Sequence, residues 1–308
     1  MFTGIVYRHT GSHYLVKHPG RGVLYDCTAR GKLRLHDNAT TNPIAAGDSV
    51  DVAPVTDTTG AIIKIHPRKN YIIRRAANLS KQAHVIAANL DMAFLVVTID
   101  YPALQMEFID RFLVTCEAYK VPVKIAVNKM DLYNEAQLET LQRFQEIYTG
   151  AGYELLCVSA HTGWQVEILR EAVKGKLCLF SGQSGVGKSS LINAIDAGLQ
   201  LRTGRLSDYH RKGMHTTTFY EIFDTSAGGQ IIDSPGIKGF GLIDVEKEEL
   251  YHFFPELFRH AAQCKYNMCT HTHEPDCAVK AAVEQGSISP ERYESYLKML
   301  DDKGGKYR

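Results

Sequence analysis

The stretch from Lys176 to Leu191, KLCLFSGQSGVGKSSL, constrains the chain more than any other. It reads as a short buried strand, Leu177 to Phe180, then a glycine-rich loop, then the first turn of a helix. The loop Gly182-Gln183-Ser184-Gly185-Val186-Gly187-Lys188-Ser189 fits G-x-x-x-x-G-K-[ST]. Glycines at these places let the backbone curl until several N–H groups face one phosphate, and the helix N-terminus adds partial positive charge. Lys188 is placed to reach the β- and γ-phosphates and to serve the chemistry there. Ser189 offers its hydroxyl to Mg²⁺, and Ser190 lies beside it in the same turn.

A second motif specifies the base. Asn128-Lys129-Met130-Asp131 follows the apolar run Val121–Val127, at the carboxyl end of an expected parallel strand, where open α/β sheets bind ligands. The Asp131 carboxylate can accept from the N1–H and N2–H₂ edge of guanine, and adenine presents no such donor pair. Asn128 is expected to hold neighbouring loops or the base N7, and the Lys129 stem to stack on the ring. At the end of the next strand Ser159-Ala160 offers a backbone N–H to guanine O6. After the phosphate loop, residues 198–218 are polar and glycine-containing, a segment that a γ-phosphate and Mg²⁺ are expected to order. Thr216, Thr217 and Thr218 offer hydroxyls to the metal, Thr217 being the candidate among them, and a strand Phe219–Phe223 follows. The apolar strand from Gln230 then ends in Asp233-Ser-Pro-Gly236, a D-x-x-G. Asp233 would hold Mg²⁺ through water and the Gly236 N–H would face the γ-phosphate.

Around these motifs the chain alternates. Met92–Ile99, Val121–Val127 and Glu154–Val158 read as buried strands. Leu104–Tyr119, Ala136–Tyr148 and Gln165–Val173 read as helices between them, which specifies a doubly wound parallel sheet. Residues 68–90 carry no strong period and read as a basic linker. Ahead of it lie five β-like runs, Phe2–Tyr7, His13–His18, Gly22–Ala29, Ser49–Val55 and Ala61–His66. They are enough for a small antiparallel barrel, an OB-fold or an SH3-like one. Residues 1–81 hold twelve Lys/Arg against five Asp/Glu, on a chain whose net charge is only +1. Such an imbalance points to an anionic partner, RNA first. Arg8, Lys17, Arg21, Arg30, Lys32 and Arg34 fall in or beside the strands, and Tyr7, Tyr14 and Tyr25 are either stacking platforms or core.

No apolar run approaches the roughly 20 residues of a membrane span, and the first residues lack a charged-then-apolar signal pattern. The expectation is a cytoplasmic protein without a membrane partner. Cys27, Cys116, Cys157 and Cys178 are isolated in apolar surroundings and should be buried. Cys264-x₄-Cys269-x-His271-x₅-Cys277 is different: three thiolates and an imidazole suit one tetrahedral Zn²⁺ in a closed structural site, with His273 a possible substitute. Helical stretches Leu250–Ala262, Ala278–Gln285 and Pro290–Leu300 flank it.

The motif order is unusual. The guanine reader (128–131) and Ser-Ala (159–160) precede the phosphate loop (182–189), the threonines and D-x-x-G (233–236). Circular permutation produces such an order without altering the packed sheet. With the OB-like start, Gly213-Met-His-Thr-Thr-Thr218 and the C-terminal cysteine pattern, the whole chain resembles the circularly permuted, small-subunit-dependent ribosome biogenesis GTPases of bacteria. The resemblance implies an α/β permuted P-loop GTPase domain (69–242), preceded by an OB-fold RNA-binding domain (1–68) and followed by a helical zinc-binding domain (243–308). It implies a monomer that uses Mg²⁺ with GTP, binds the small ribosomal subunit and its rRNA late in assembly, and hydrolyses GTP to GDP and phosphate when docked. It also selects His271 over His273 as the fourth zinc ligand. Gly236 is followed by Ile237, which cannot orient an attacking water as a glutamine does, so slow intrinsic turnover is expected. His215, beside the threonines, is the candidate for that water.

Overall fold

In the computed structural model, residues 1–30, 43–75, 83–201, 220–234 and 245–301 are described. The first five strands are β1 (Phe2–Thr10), β2 (His13–Lys17), β3 (Leu24–Ala29), β4 (Ser49–Pro54) and β5 (Thr59–Ile65). Alternate residues of β3 and β4 are buried, the period-two pattern of a sheet with one face on a core. The strands close into a barrel in the order β1-β2-β3-β5-β4, with β3 and β5 parallel and the other pairs antiparallel. Val6, Val16, Cys27, Val50, Val52 and Ile62 fill it. Tyr14 and Tyr25 belong to that core, so neither is a stacking platform. Tyr7 is also buried, but on the outside of the barrel, in the core of the following sheet.

The segment expected to be a linker forms an antiparallel hairpin, β6 (Tyr71–Arg75) with β7 (Ala83–Ala88). Its strands are too short to show a period, yet Ile72, Val85, Ile86 and Ala87 are fully buried. Gly47 sits at φ +90°, and a Cβ there would lie 2.1 Å from the Ala88 carbonyl oxygen. Only glycine permits the barrel to approach the hairpin this closely.

Next come β8 (Met92–Val97), α1 (Met106–Ala118), β9 (Val123–Val127), α2 (Glu135–Ala151), β10 (Leu155–Cys157), α3 (Val166–Val173), β11 (Leu177–Ser181), α4 (Lys188–Ile195), β12 (Ile222–Asp224) and β13 (Gln230–Asp233). They build a six-stranded sheet in the order β10-β9-β8-β11-β13-β12. One edge departs from the expected all-parallel sheet: β12 runs antiparallel to β13. The connection from Thr225 to Gly229 is far shorter than the dozen residues a parallel crossover needs. Apolar clusters cover both faces of the sheet. Asn134 and Gln137 form a reciprocal capping box at the start of α2, and Gly152 ends it in the left-handed region.

A 3₁₀ turn (Lys247–Phe253), α5 (Pro255–Ala261), α6 (Ala278–Glu284) and α7 (Pro290–Asp301) make the C-terminal helical unit. The expected continuous helix Leu250–Ala262 breaks before Pro255, because proline pushes the preceding residue out of helical geometry. Phe254 is extended, at φ −113° and ψ 96°. Val114 of α1 shares this unit's core with Phe254, Leu257, Val279 and Tyr296. Among the described residues, no helix is long and apolar enough to cross a membrane.

Candidate nucleotide site and metal cluster

All five residues of β11 are buried, so the strand fixes where the glycine-rich loop begins. Gly182 has φ +151°, and a Cβ on it would lie 2.2 Å from the Val96 carbonyl oxygen. At Gly187, φ +89°, a Cβ would meet the Asn128 side-chain amide at 2.6 Å. Both positions require glycine. Lys188 is only 8% exposed, and its Nζ donates to the Gly182 and Gln183 carbonyls at 2.7 and 2.8 Å. Burial pushes its pKa down to about 8, against the opposing pull of Asp233. Ser184 and Gly185 are exposed at the loop's tip, Val186 is buried beneath it, and Ser190 is half-buried in α4.

Asp233 ends β13 next to this lysine. Its Oδ2 accepts from the Ser189 hydroxyl at 3.2 Å, while its buried Oδ1 has no partner among the described residues. Burial raises the Asp233 pKa, and Lys188 and Ser189 pull it back. An orphaned buried carboxylate oxygen beside a serine hydroxyl is a donor set that suits a hydrated Mg²⁺.

The Asn128–Asp131 motif is tied to the glycine-rich loop by Asn128. Its Nδ2 donates to the Val186 carbonyl at 2.9 Å, and its Oδ1 accepts from the Ala160 N–H at 3.0 Å. Of the two roles expected for Asn128, the structure shows loop-holding. Of the Ser159-Ala160 pair expected to offer a backbone N–H to guanine O6, the Ser159 N–H donates to the Trp164 carbonyl at 3.0 Å and the Ala160 N–H to Asn128. Lys129 adopts φ +68°, and its Nζ bridges the carbonyls of Tyr101 (2.6 Å) and Gly185 (2.8 Å). The Met130 N–H donates to the Val158 carbonyl at 3.2 Å. Asp131 Oδ1 accepts from the Ser159 hydroxyl at 2.5 Å, and its Oδ2 accepts nothing from the described residues.

Several residues here carried no motif. Tyr133 OH donates to the Asn128 carbonyl at 2.6 Å and accepts from the Ile99 N–H at 2.9 Å, pinning the strand end. Gln105 accepts from Gln183 Nε2 at 2.5 Å, so the loop after β8 braces the phosphate loop. Spacing could not have found these contacts, because each rests on one isolated side chain, and two of the three join residues 34 and 78 positions apart. His215, Thr216, Thr217, Thr218, Gly236 and Ile237 lie outside the described residues.

In the C-terminal unit, one ligand atom each from Cys264, Cys269, His271 and Cys277 lies within 4.8 Å of all the others. Cys264 Sγ is 3.9 Å from Cys277 Sγ, and His271 Nδ1 is 3.6 and 3.5 Å from those two sulfurs. A tetrahedral zinc with Zn–S near 2.3 Å implies about 3.8 Å between sulfurs, so the donors fit one metal ion. His273 is exposed and its Nδ1 faces Thr272, away from the cluster. Glu274 holds the ligand loop by accepting from the Thr270 and Thr272 N–H groups at 2.8 and 3.0 Å. Helix α7 holds it from the other side, Tyr293 OH donating to the His271 carbonyl at 2.6 Å and Tyr296 OH to that of Thr270 at 2.7 Å.

A permuted order of nucleotide motifs on one sheet, with a barrel before it and a Cys₃His cluster after it, is a narrow combination. Residues 65–243 match the family described as RsgA GTPase, and residues 3–62 match the RsgA N-terminal domain. The chain belongs to the RsgA GTPase family. A protein of Bacteroides fragilis named small ribosomal subunit biogenesis GTPase RsgA is 53% identical, over 99% of this chain and 98% of its own. One of that name from Flavobacterium psychrophilum is 50% identical, covering 99% and 94%. Among solved structures, YjeQ from Thermotoga maritima superposes with a TM-score of 0.79 at 37% identity, covering 97% of each chain. YloQ, described as a circularly permuted GTPase, gives 0.73 at 28%, covering 97% and 94%. As an RsgA GTPase, the chain is a GTP-hydrolysing enzyme, and its six-stranded sheet is the permuted GTPase fold.

Proposed function

We propose that this RsgA GTPase binds the small ribosomal subunit, acts late in its maturation, and hydrolyses GTP when docked there. The observation that carries this reading is identity of about half, along essentially the full chain, with relatives named for small-subunit biogenesis. The barrel and its basic neighbourhood, residues 1–68, are the proposed rRNA-binding domain. Residues 69–242 form the GTPase domain and 243–308 the zinc domain, and the chain acts as a monomer in the cytoplasm.

In this reading Gly182 to Ser190 wrap the phosphates with backbone N–H groups, and Lys188 donates to the β- and γ-phosphates. Mg²⁺, if bound with GTP, would supply positive charge against the negative charge that develops on the phosphates. Ser189 and Asp233 would hold it, with Thr217 as the further ligand. Asp131 reads the guanine edge, while Asn128 keeps the base-reading strand end against the phosphate loop. Ser159 orients Asp131, and Lys129, Met130 and Ala160 shape the base slot. Gly236 would face the γ-phosphate.

Hydrolysis measured alone, with small subunits and with large subunits tests the function directly. Stimulation by small subunits only is expected, and equal feeble rates in all three would sink it. His215→Ala should lower the subunit-stimulated kcat by about tenfold or more, as loss of a water-positioning group does. An unchanged stimulated rate removes His215 from the mechanism.

Zinc is proposed as the metal of the Cys₃His cluster, holding the ligand loop closed with no position left for catalysis. The purified protein should carry one zinc per chain, and Cys277→Ser should lose most of it. Cys269 and Cys277 also belong to the C-terminal core, so the variant should expose that unit to proteolysis. A metal content unaffected by Cys277→Ser would refute the assignment.

A further inference from the structure

The barrel and the nucleotide-bearing sheet meet at a cluster that neither the phosphate loop nor the base reader uses. Tyr7 of β1 is buried in one apolar cluster with Tyr220, Ile222 and Ile232 of the sheet. Its hydroxyl donates to Asp224 Oδ1 at 2.8 Å. Lys17 of β2 donates to Asp224 Oδ2 at 2.5 Å while its ammonium sits 4.9 Å from the centre of the Tyr7 ring. Gln230 donates from Nε2 to the Tyr7 hydroxyl, and to Asp224 Oδ1 at 3.2 Å. One residue along β1, Arg8 forms a backbone bridge and a 3.4 Å ion pair with Glu221. Burial pushes the Asp224 pKa up, but hydrogen bonds from Lys17, Tyr7 and Gln230 outweigh it and hold the carboxyl below its ordinary value.

The position of this clamp gives it meaning. Asp224 ends β12, Gln230 begins β13, and the two face each other in register. Three residues further along β13 stands Asp233, about 10 Å away at the rise of an extended strand. The same short strand therefore carries the barrel's clamp at one end and the Mg²⁺-site carboxylate at the other. Lys17 is also one of the barrel's basic residues, its side chain 28% exposed, and Asp224 is 48% exposed. Partly exposed ion pairs are weak, so a phosphodiester close by can compete for the ammonium at small cost.

We propose that Asp224 is a positioning residue: its clamp by Tyr7 and Lys17 sets β13 and with it Asp233, and an anionic RNA backbone seated on the barrel shifts that clamp by competing for Lys17. This rests on the reading that the barrel binds rRNA of the small subunit. The clamp is thus the route by which docking reaches the hydrolytic site, since both ends bias one element.

Asp224→Asn tests it, because the amide keeps the size and can still accept from Tyr7 while losing the charge that holds Lys17. The ratio of subunit-stimulated to unstimulated kcat is expected to fall about fivefold, a typical coupling between sites, with the KM for GTP changed less than about twofold. In a Lys17→Gln background, which breaks the same contact from the barrel side, Asp224→Asn should change the ratio by less than about twofold, because the pair acts as one unit. Lys17→Arg, which keeps the charge, should retain stimulation. A folded Asp224→Asn with the wild-type ratio, or an equal fall in both backgrounds, overturns the clamp. If Asp224→Asn does not fold, Lys17→Gln reads the same ratio alone, and an unmoved ratio there overturns the clamp equally. A wild-type enzyme that small subunits do not stimulate overturns the functional reading and the proposal with it, whereas a stimulated wild type with unmoved variants overturns the clamp only.

Discussion

Replacing Arg292 by methionine should lower the stability of the chain by about 3–5 kcal/mol, the cost of leaving buried carboxylates without their cation. Arg292 of α7 and Asp110 of α1 are both 0% exposed, and Glu256 of α5 is nearly so. The guanidinium donates to Asp110 Oδ1 at 2.7 Å, and to Glu256 Oε1 and Oε2 at 2.6 and 3.2 Å. It lies 4.7 Å from the centre of the Phe254 ring, so the cation is held by a ring face as well as by two acids. Tyr148 OH adds a second donor to Asp110 Oδ1 at 2.7 Å. One cation therefore ties the C-terminal unit to the first helix of the GTPase sheet. Methionine approximates the stem but leaves two carboxylates facing each other in a dry interior. Lysine should do little better, since an ammonium cannot fork between two acids. Denaturant unfolding followed by the single tryptophan, Trp164, reads the change in the sheet. A loss below about 1 kcal/mol would mean that water reaches the network and screens it as it does a surface pair.

Nothing in the sequence announces that network. Arg292, Asp110 and Glu256 sit on three separate helices with no mutual spacing, and a lone charged residue in a helix ordinarily reads as a solvated face. The glycine-rich loop at 182–189, the Asn128–Asp131 motif and the cysteine cluster stand out in the sequence for the opposite reason. Each is a local backbone or donor pattern, compact enough for a few adjacent residues to specify the chemistry. The barrel strands were legible through alternation and turn residues, but the burial of Tyr7 in a neighbouring core was not. Its partners Asp224 and Gln230 lie more than two hundred positions away. The hairpin of Tyr71–Arg75 and Ala83–Ala88 was hidden by brevity, five and six residues of mixed polarity reading as linker until packing buries Ile72 and Ile86. The antiparallel edge strand follows from the shortness of the turn at Thr225–Gly229, a constraint of chain length that strand composition does not carry.

Asp131→Asn should invert the base preference. Guanine presents two donors on its N1–H and N2–H₂ edge, and a carboxylate accepts both. An asparagine can accept only one, and its amide N–H₂ then confronts the guanine amino group, donor against donor. Losing two charge-assisted hydrogen bonds, each about 1.5–3 kcal/mol, weakens GTP by roughly 10²–10⁴-fold. Xanthine keeps N1–H but carries a carbonyl where guanine has its amino group, so the asparagine amide pairs with it at both atoms. The substitution should disturb little else, because the introduced amide still offers an oxygen to the Ser159 hydroxyl that meets Asp131 Oδ1 at 2.5 Å. The loop ties made by Asn128 to Val186 and Ala160 do not pass through residue 131. Nucleotide titrations with GTP and xanthosine triphosphate, each followed by turnover with small subunits, separate the possibilities. A weakened GTP complex with kcat restored by xanthosine triphosphate places Asp131 at the base edge and leaves the hydrolytic groups intact. A loss of GTP affinity below about threefold would mean that the carboxylate does not meet the base, a contact worth at least one hydrogen bond. The 2.5 Å contact with Ser159 would then be its structural purpose.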